Sequence, residues 1–485
     1  MNWKAISRNI GYALLVSALF MLLSVAVSVA NGNDSALSAL LISFTITFLS
    51  GIFPFIFVRR TQAISLKDGY VIITLSWLLS FVFGMLPYAL WGGPFSISNA
   101  WFESVSGFTT TGATILENVE ALPPSLLFWR ASTHFIGGLG VVVFLLLIIP
   151  GSSPIKLRLT NMELSSLSKG TYASSANRTV YIFAYVYLGL FAVSFFAYWM
   201  AGMDVLDALC HAMSVSATGG FSTRNASIGA FDSRLIEGLT MVFMYLSSIH
   251  FGLIFLTFAT RSLKPLKNPV VKFYTLFVVF ISVACAIGLR TTGLCTNWGN
   301  ALWTGTFQTL CASTTTGFAI VDNASWPPVL TLLLLFPAVM CGCAGSTSGG
   351  VKADRVLLVI KSFTNRIGNI LHPTSVNEIK LGQKFLRADQ VTPHLLYVGI
   401  YCLILSVSVL LTMLVGVDTH NSFAASITSL GNVGPAVREL GTMGSFNSIP
   451  DAAKFIFAFD MFLGRLEIYP VLAVVAMIFD RRARR

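Results

Sequence analysis

Apolar sequence long enough to cross a lipid bilayer recurs ten times along this chain, near residues 9–30, 35–58, 68–92, 126–149, 178–202, 235–260, 269–290, 327–362, 391–416 and 452–479. A hydrocarbon core of about 30 Å takes about 20 helical residues to cross. No water reaches that depth, so every backbone N–H and C=O must find its partner within the protein. These conditions restrict the chain to an all-α integral membrane protein before any motif is considered. Composition agrees: 55% of the 485 residues are hydrophobic and 11% charged, where soluble domains carry roughly a quarter charged residues. The mean hydropathy is +0.77. The stretch from Asn9 to Ala30 runs too long for a signal-peptide core and lacks a small-residue cleavage site, so it reads as a first span.

The net charge of +11 raises nucleic acid as a partner, but its distribution answers to lipid instead. With the N-terminus inside, the basic groups Lys4 and Arg8, Arg59 to Lys67, Lys156 to Arg178, Arg261 to Lys272, Lys352 to Arg387 and Arg481 to Arg485 all face one side. Arg130, Arg224, Arg234, Arg290, Arg438 and Lys454 fall on the other. Such asymmetry marks the first side as cytoplasmic and places both termini there. The seven cysteines show no metal-type spacing and read as small packing residues.

Four outward connections are too long and too apolar for simple loops, and each ends a short helix-like stretch in a Thr/Gly-rich turn. The turns align as Thr109-Thr110-Thr111-Gly112, Ser216-Ala217-Thr218-Gly219, Thr314-Thr315-Thr316-Gly317 and Gly431-Asn432-Val433-Gly434. They recur at intervals of roughly 100 residues, which makes the chain a set of repeats of span, half-helix, turn and span. A half-helix of about 10 residues rises about 15 Å, enough to reach the membrane's middle before returning. Its C-terminal end carries partial negative charge and favours a cation. Extended turns at that depth can aim carbonyls inward and replace a potassium ion's hydration shell. The candidate filter residues are therefore Thr110, Thr111, Gly112, Ala217, Thr218, Gly219, Thr315, Thr316, Gly317, Asn432, Val433 and Gly434. His211 and Glu103 lie on the half-helices, where polar contacts that stabilise the helix explain them as well as tuning of the outer field does.

The eighth span is broken by Cys341-Gly342-Cys343-Ala344 and then Gly345, Ser346, Thr347, Ser348, Gly349 and Gly350, a run that reads as unwound backbone inside the membrane. A partial match to the phosphate-binding pattern over Gly345 to Val351 fails, because Val351 holds the lysine position. Arg465 falls within the tenth span, where an unpaired charge costs roughly 2.5 kcal/mol or more and so must face a cavity or a partner. Glu467 and Asp460 are poorly spaced along a helix to pair with it.

These turns resemble the filter of the TrkH/KtrB/HKT superfamily of potassium transporters, and the two spans ahead of the first repeat resemble its bacterial TrkH branch. The resemblance covers essentially the whole chain. It implies four parallel helix–pore-loop–helix repeats around a central pore, preceded by two extra helices, with divisions at 1–62, 63–152, 153–262, 263–390 and 391–485. It also implies an intramembrane gate formed by residues 345–350 with Arg465 beside it. Potassium is then the substrate, with no bound cofactor. The implied setting is the bacterial inner membrane, with a homodimer in the bilayer and a cytosolic TrkA-like nucleotide-binding regulatory subunit. No nucleophile–base set or nucleotide motif points to an enzyme. A symporter coupling potassium to protons or sodium is the alternative; such transporters tend to carry inverted repeats and midplane carboxylates, whereas these turns enter from one side and hold no carboxylate.

Overall fold

A computed structural model describes residues 1–59, 64–148, 176–372, 379–381, 384–386, 388–436 and 438–479. The sequence-based divisions at 62/63 and 152/153, and the basic residues Arg60, Lys156, Arg158, Lys169, Arg387 and 481–485, lie outside them. In chain order the helices are α1 (Trp3–Ala30), α2 (Leu37–Phe57), α3 (Leu66–Gly84), α4 (Leu86–Trp91), α5 (Ile97–Phe108), α6 (Pro124–Ile148), α7 (Ala176–Met200), α8 (Val205–Ala217), α9 (Arg234–Ser248) and α10 (Phe251–Thr260). They continue as α11 (Pro269–Thr291), α12 (Trp298–Ser313), α13 (Pro328–Met340), α14 (Ala353–Leu371), α15 (Ala388–Leu414), α16 (Thr419–Leu430), α17 (Asp451–Arg465) and α18 (Tyr469–Phe479). A two-stranded hairpin, β1 (Ile379–Leu381) and β2 (Lys384–Leu386), precedes α15.

After α1 and α2 one pattern recurs four times: a long helix (α3, α7, α11, α15), a short one (α5, α8, α12, α16), a turn, and a second helix that is interrupted. The short helices share a start signal. Ser96, Asp204, Asn297 and Asp418 each accept a hydrogen bond from a backbone N–H of the first turn, the side-chain cap that an exposed helix start requires. Between α1 and α2 the packing relies on small residues: a Cβ at Gly11 would stand 2.7 Å from the Gly51 carbonyl oxygen. Close backbone approach of this kind is what holds helices together where lipid removes the hydrophobic drive.

The second helices depart from the sequence-based expectation. Spans 235–260 and 452–479 read as continuous, yet α9 meets α10 at 102° and α17 meets α18 at 108°. In α6 the backbone leaves helical geometry at Gly140, with φ 37° and ψ −156°. Among the described residues six helices are long and apolar enough to cross a membrane, or eight counting each bent pair as one span. The expected break after α13 is thus one of four at the same position in the pattern. At the fourth, Glu467 and Ile468 adopt positive φ (53° and 63°), which leaves Arg465 at the end of α17 rather than inside a continuous helix.

Candidate functional site

The four turns meet at one place. After each short helix the chain makes the same hairpin of hydrogen bonds, in which the residue ahead of the key glycine donates its N–H five residues back: Thr111 to Ser106 O (2.9 Å), Gly219 to Ser214 O (2.9 Å), Thr316 to Cys311 O (3.1 Å) and Val433 to Thr428 O (2.8 Å). This is the six-to-one bond of a left-handed helix end. Thr110, Thr218, Thr315 and Asn432 take the left-handed conformation, and two residues on Gly112, Gly220, Gly317 and Gly434 take it again.

This register corrects the sequence alignment in the second repeat. Gly220, not Gly219, stands where Gly112, Gly317 and Gly434 stand, and Thr218, Gly219 and Gly220 replace Ala217, Thr218 and Gly219 as the equivalent strand. Two adjacent glycines fit the tetrapeptide pattern in either register, and only the backbone angles choose between them.

The corrected glycines close a ring. A Cβ at Gly112 would collide with the carbonyl oxygen of Gly219, one at Gly220 with that of Thr316, one at Gly317 with that of Val433, and one at Gly434 with that of Thr111. Each struck oxygen belongs to the residue just ahead of the next repeat's glycine, so four backbone strands approach one another around a common axis as only glycine allows. Side chains brace the strands from behind. Thr109 and Thr111 hydroxyls lie 2.8 Å apart, those of Thr314 and Thr316 2.7 Å apart, and Asn432 Nδ2 donates to Thr111 Oγ1 (3.0 Å) and Met461 O (2.8 Å).

The same register explains Glu103 and His211. Nine residues ahead of the ring glycines stand Glu103, His211 and Gln308, and each grips the strand that leaves its own turn. Glu103 accepts from Ile115 N (3.0 Å) and from Arg130 Nε (2.6 Å), His211 Nε2 lies 2.8 Å from Ser222 Oγ, and Gln308 Nε2 donates to Val321 O (3.3 Å). The structure gives all three a bracing contact. In the fourth repeat the place is taken by Ala425.

Beneath the ring lies the unwound run between α13 and α14. Its backbone groups are answered largely by the break between α9 and α10: Cys343 N donates to Ser248 O (2.9 Å), Phe251 N to Gly345 O (2.9 Å) and Thr347 Oγ1 to Ser247 O (3.2 Å). Two interrupted helices thereby satisfy each other inside the membrane, the condition under which non-helical backbone survives there. Gly349 N donates to Thr315 Oγ1 (3.0 Å), which ties this loop to the third turn. Gly350, with φ 66°, packs against Cys341.

Arg465 lies across the loop, donating from Nη1 to Thr347 O (2.8 Å) and from Nη2 to Gly137 O (2.5 Å). Two further charged residues grip it. Lys352 Nζ donates to Ser348 O, and Asp354 Oδ2 accepts from Ala344 N (2.6 Å). The charge pattern places Lys352 and Arg355 in a cytoplasmic basic segment, but both are buried. Their position directly after the glycine run was the available signal. Glu467 pairs with Arg355, and Asp460 accepts from Ser408, so neither carboxylate pairs with Arg465. A cavity of about 90 Å³ is lined by residues 345–349, Lys352, Arg465 and Trp77.

The chain matches the TrkH family model, described as a cation transport protein, over residues 38–482. It is 32% identical over 486 residues to the Trk system potassium uptake protein TrkH of Vibrio parahaemolyticus, covering 99% of this chain and 100% of that one. Against the Escherichia coli protein of the same description it is 32% identical over 489 residues, covering 99% and 100%. The crystal structure of the potassium transporter TrkH from Vibrio parahaemolyticus superposes with a TM-score of 0.88 at 32% identity, over 99% of this chain and 100% of that one. With its helices, breaks and four turns in this arrangement, the chain belongs to the TrkH family of cation transport proteins.

Proposed function

We propose that the chain takes up potassium across the bacterial inner membrane through a channel-like pore whose filter is the ring of Gly112, Gly220, Gly317 and Gly434 with the residues ahead of them. The observation that carries this reading is the cyclic approach of each ring glycine to the carbonyl preceding the next. Carbonyls gathered from four strands, at the C-terminal ends of four short helices, supply dipoles suited to a dehydrated monovalent cation. Potassium uptake by the relatives named above supports the choice of ion.

In this reading residues 345–350 form a gate and Arg465 adds a positive charge to it. The N- and C-termini are cytoplasmic, as the basic residues of the connections suggest. The gate then lies on the cytoplasmic side, continuous with α14, whose Ile360, Phe363, Ile367 and Leu371 are exposed beside Lys361 and Arg366. That face suits assembly as a homodimer and contact with a cytosolic TrkA-like nucleotide-binding subunit.

Purified chain in liposomes, supplied with radioactive rubidium and excess potassium or sodium as competitor, tests the function. Uptake blocked far better by potassium than by sodium, without an imposed proton or sodium gradient, is the expected result. Uptake that requires such a gradient supports the coupled symporter instead, and equal block by the two ions contradicts a selective filter.

A further inference from the structure

The second turn holds two glycines, and only Gly220 occupies a ring position. Gly219 does not adopt positive φ, so its lack of a side chain has another cause. A Cβ there would lie within 2.6 Å of three atoms of the His134 imidazole. His134 sits on α6, buried, with Nδ1 3.2 Å from Ser214 Oγ on α8.

Its ring stacks on Phe221 with centroids 4.1 Å apart and planes 15° apart, while the guanidinium carbon of Arg130 lies 3.5 Å from the same Phe221 centroid. Groups that close cannot share one face of the ring, so Phe221 is sandwiched between two side chains one helical turn apart on α6. Arg130 is itself fixed by Glu103 and by Ser222 O (3.1 Å). The peptide units on both sides of Gly220 are thus held by α6, and one of them carries the Gly219 oxygen that faces the Gly112 position.

We propose that His134 is a positioning residue for ion selectivity, holding the second filter strand through Phe221 and through the space that Gly219 leaves for its ring. The inference rests on the filter reading above. A ring misplaced by even 1 Å changes how well it replaces a hydration shell, and displacements of that size alter rates by up to about 10²-fold at other preorganised sites.

The test measures rubidium uptake, and its block by potassium and by sodium, for the full-length chain and for Gly219→Ala, His134→Ala and the double variant in liposomes. His134→Ala is expected to lower the potassium-over-sodium preference severalfold. Gly219→Ala is expected to lower it by about tenfold, and the double variant to recover part of that loss, because the smaller side chain vacates the space the new methyl needs. A merely structural role would reduce rubidium uptake and leave the ratio of potassium block to sodium block unchanged.

Should Gly219→Ala fail to fold, the ratio in His134→Ala decides alone. A wild-type ratio in His134→Ala, or a double variant no more selective than a folded Gly219→Ala, overturns the proposal. A wild-type chain without potassium preference would instead defeat the filter reading itself.

Discussion

Gly220→Ser in purified chain is expected to remove most of the potassium-over-sodium preference, by roughly a hundredfold, while rubidium still enters. The new Cβ would strike the Thr316 carbonyl and approach the backbone of Gly317; neither group can swing aside as a flexible side chain would. The third strand must therefore shift, and with it an oxygen of the proposed coordinating ring. The estimate follows from the sensitivity of preorganised sites to displacements of about 1 Å. Gly317→Ser, whose Cβ meets Val433 O at 2.6 Å and Pro435 Cδ at 2.9 Å, is expected to act in the same direction. Competition of rubidium uptake by potassium and sodium reads both variants. If Gly220→Ser kept the wild-type preference, the corrected register would be untenable.

Arg465→Ala is expected to raise rubidium flux by roughly tenfold at equal protein amount. A unit charge roughly 12 Å from a cation contributes about 1.4 kcal/mol at an effective dielectric constant of about 20, and a barrier change of about 1.4 kcal/mol is a factor of ten in rate. The substitution also frees Thr347 O and Gly137 O from the guanidinium, loosening the loop at one of three charged grips. Lys352 and Asp354 remain, so the loop stays anchored through Ser348 O and Ala344 N. Arg465→Lys keeps the charge but cannot span both carbonyls in one fork, and its flux should lie between the other two. Flux unchanged or lowered in Arg465→Ala would remove Arg465 from the proposed gate.

The helices were legible because membrane spans depend on length and apolarity, which a single sequence records directly. Thr109 to Gly112 and Thr314 to Gly317 announced the turns because a buried Thr-rich run ending in glycine has few other uses inside lipid. The register at Gly219 and Gly220 was not legible, since either glycine completes the pattern and φ alone separates them. Nor were the bends after Ser248 and Arg465. No glycine run marks them, and their geometry depends on distant partners: Gly345 O answers Phe251 N and Ser248 O answers Cys343 N, across about a hundred residues of sequence. The grip of Lys352 and Asp354 on the loop is not legible, because charged residues beside an apolar segment usually read as its aqueous flank, whereas here they turn inward to hold unwound backbone.

Anomalous diffraction from crystals grown in rubidium locates the ions bound at the proposed ring. An anomalous peak is expected on the axis among the backbone carbonyls of Thr111, Gly219, Thr316 and Val433, displaced by added potassium and not by sodium. Rubidium found elsewhere, or a ring that binds none while the crystals hold it at another site, would contradict it.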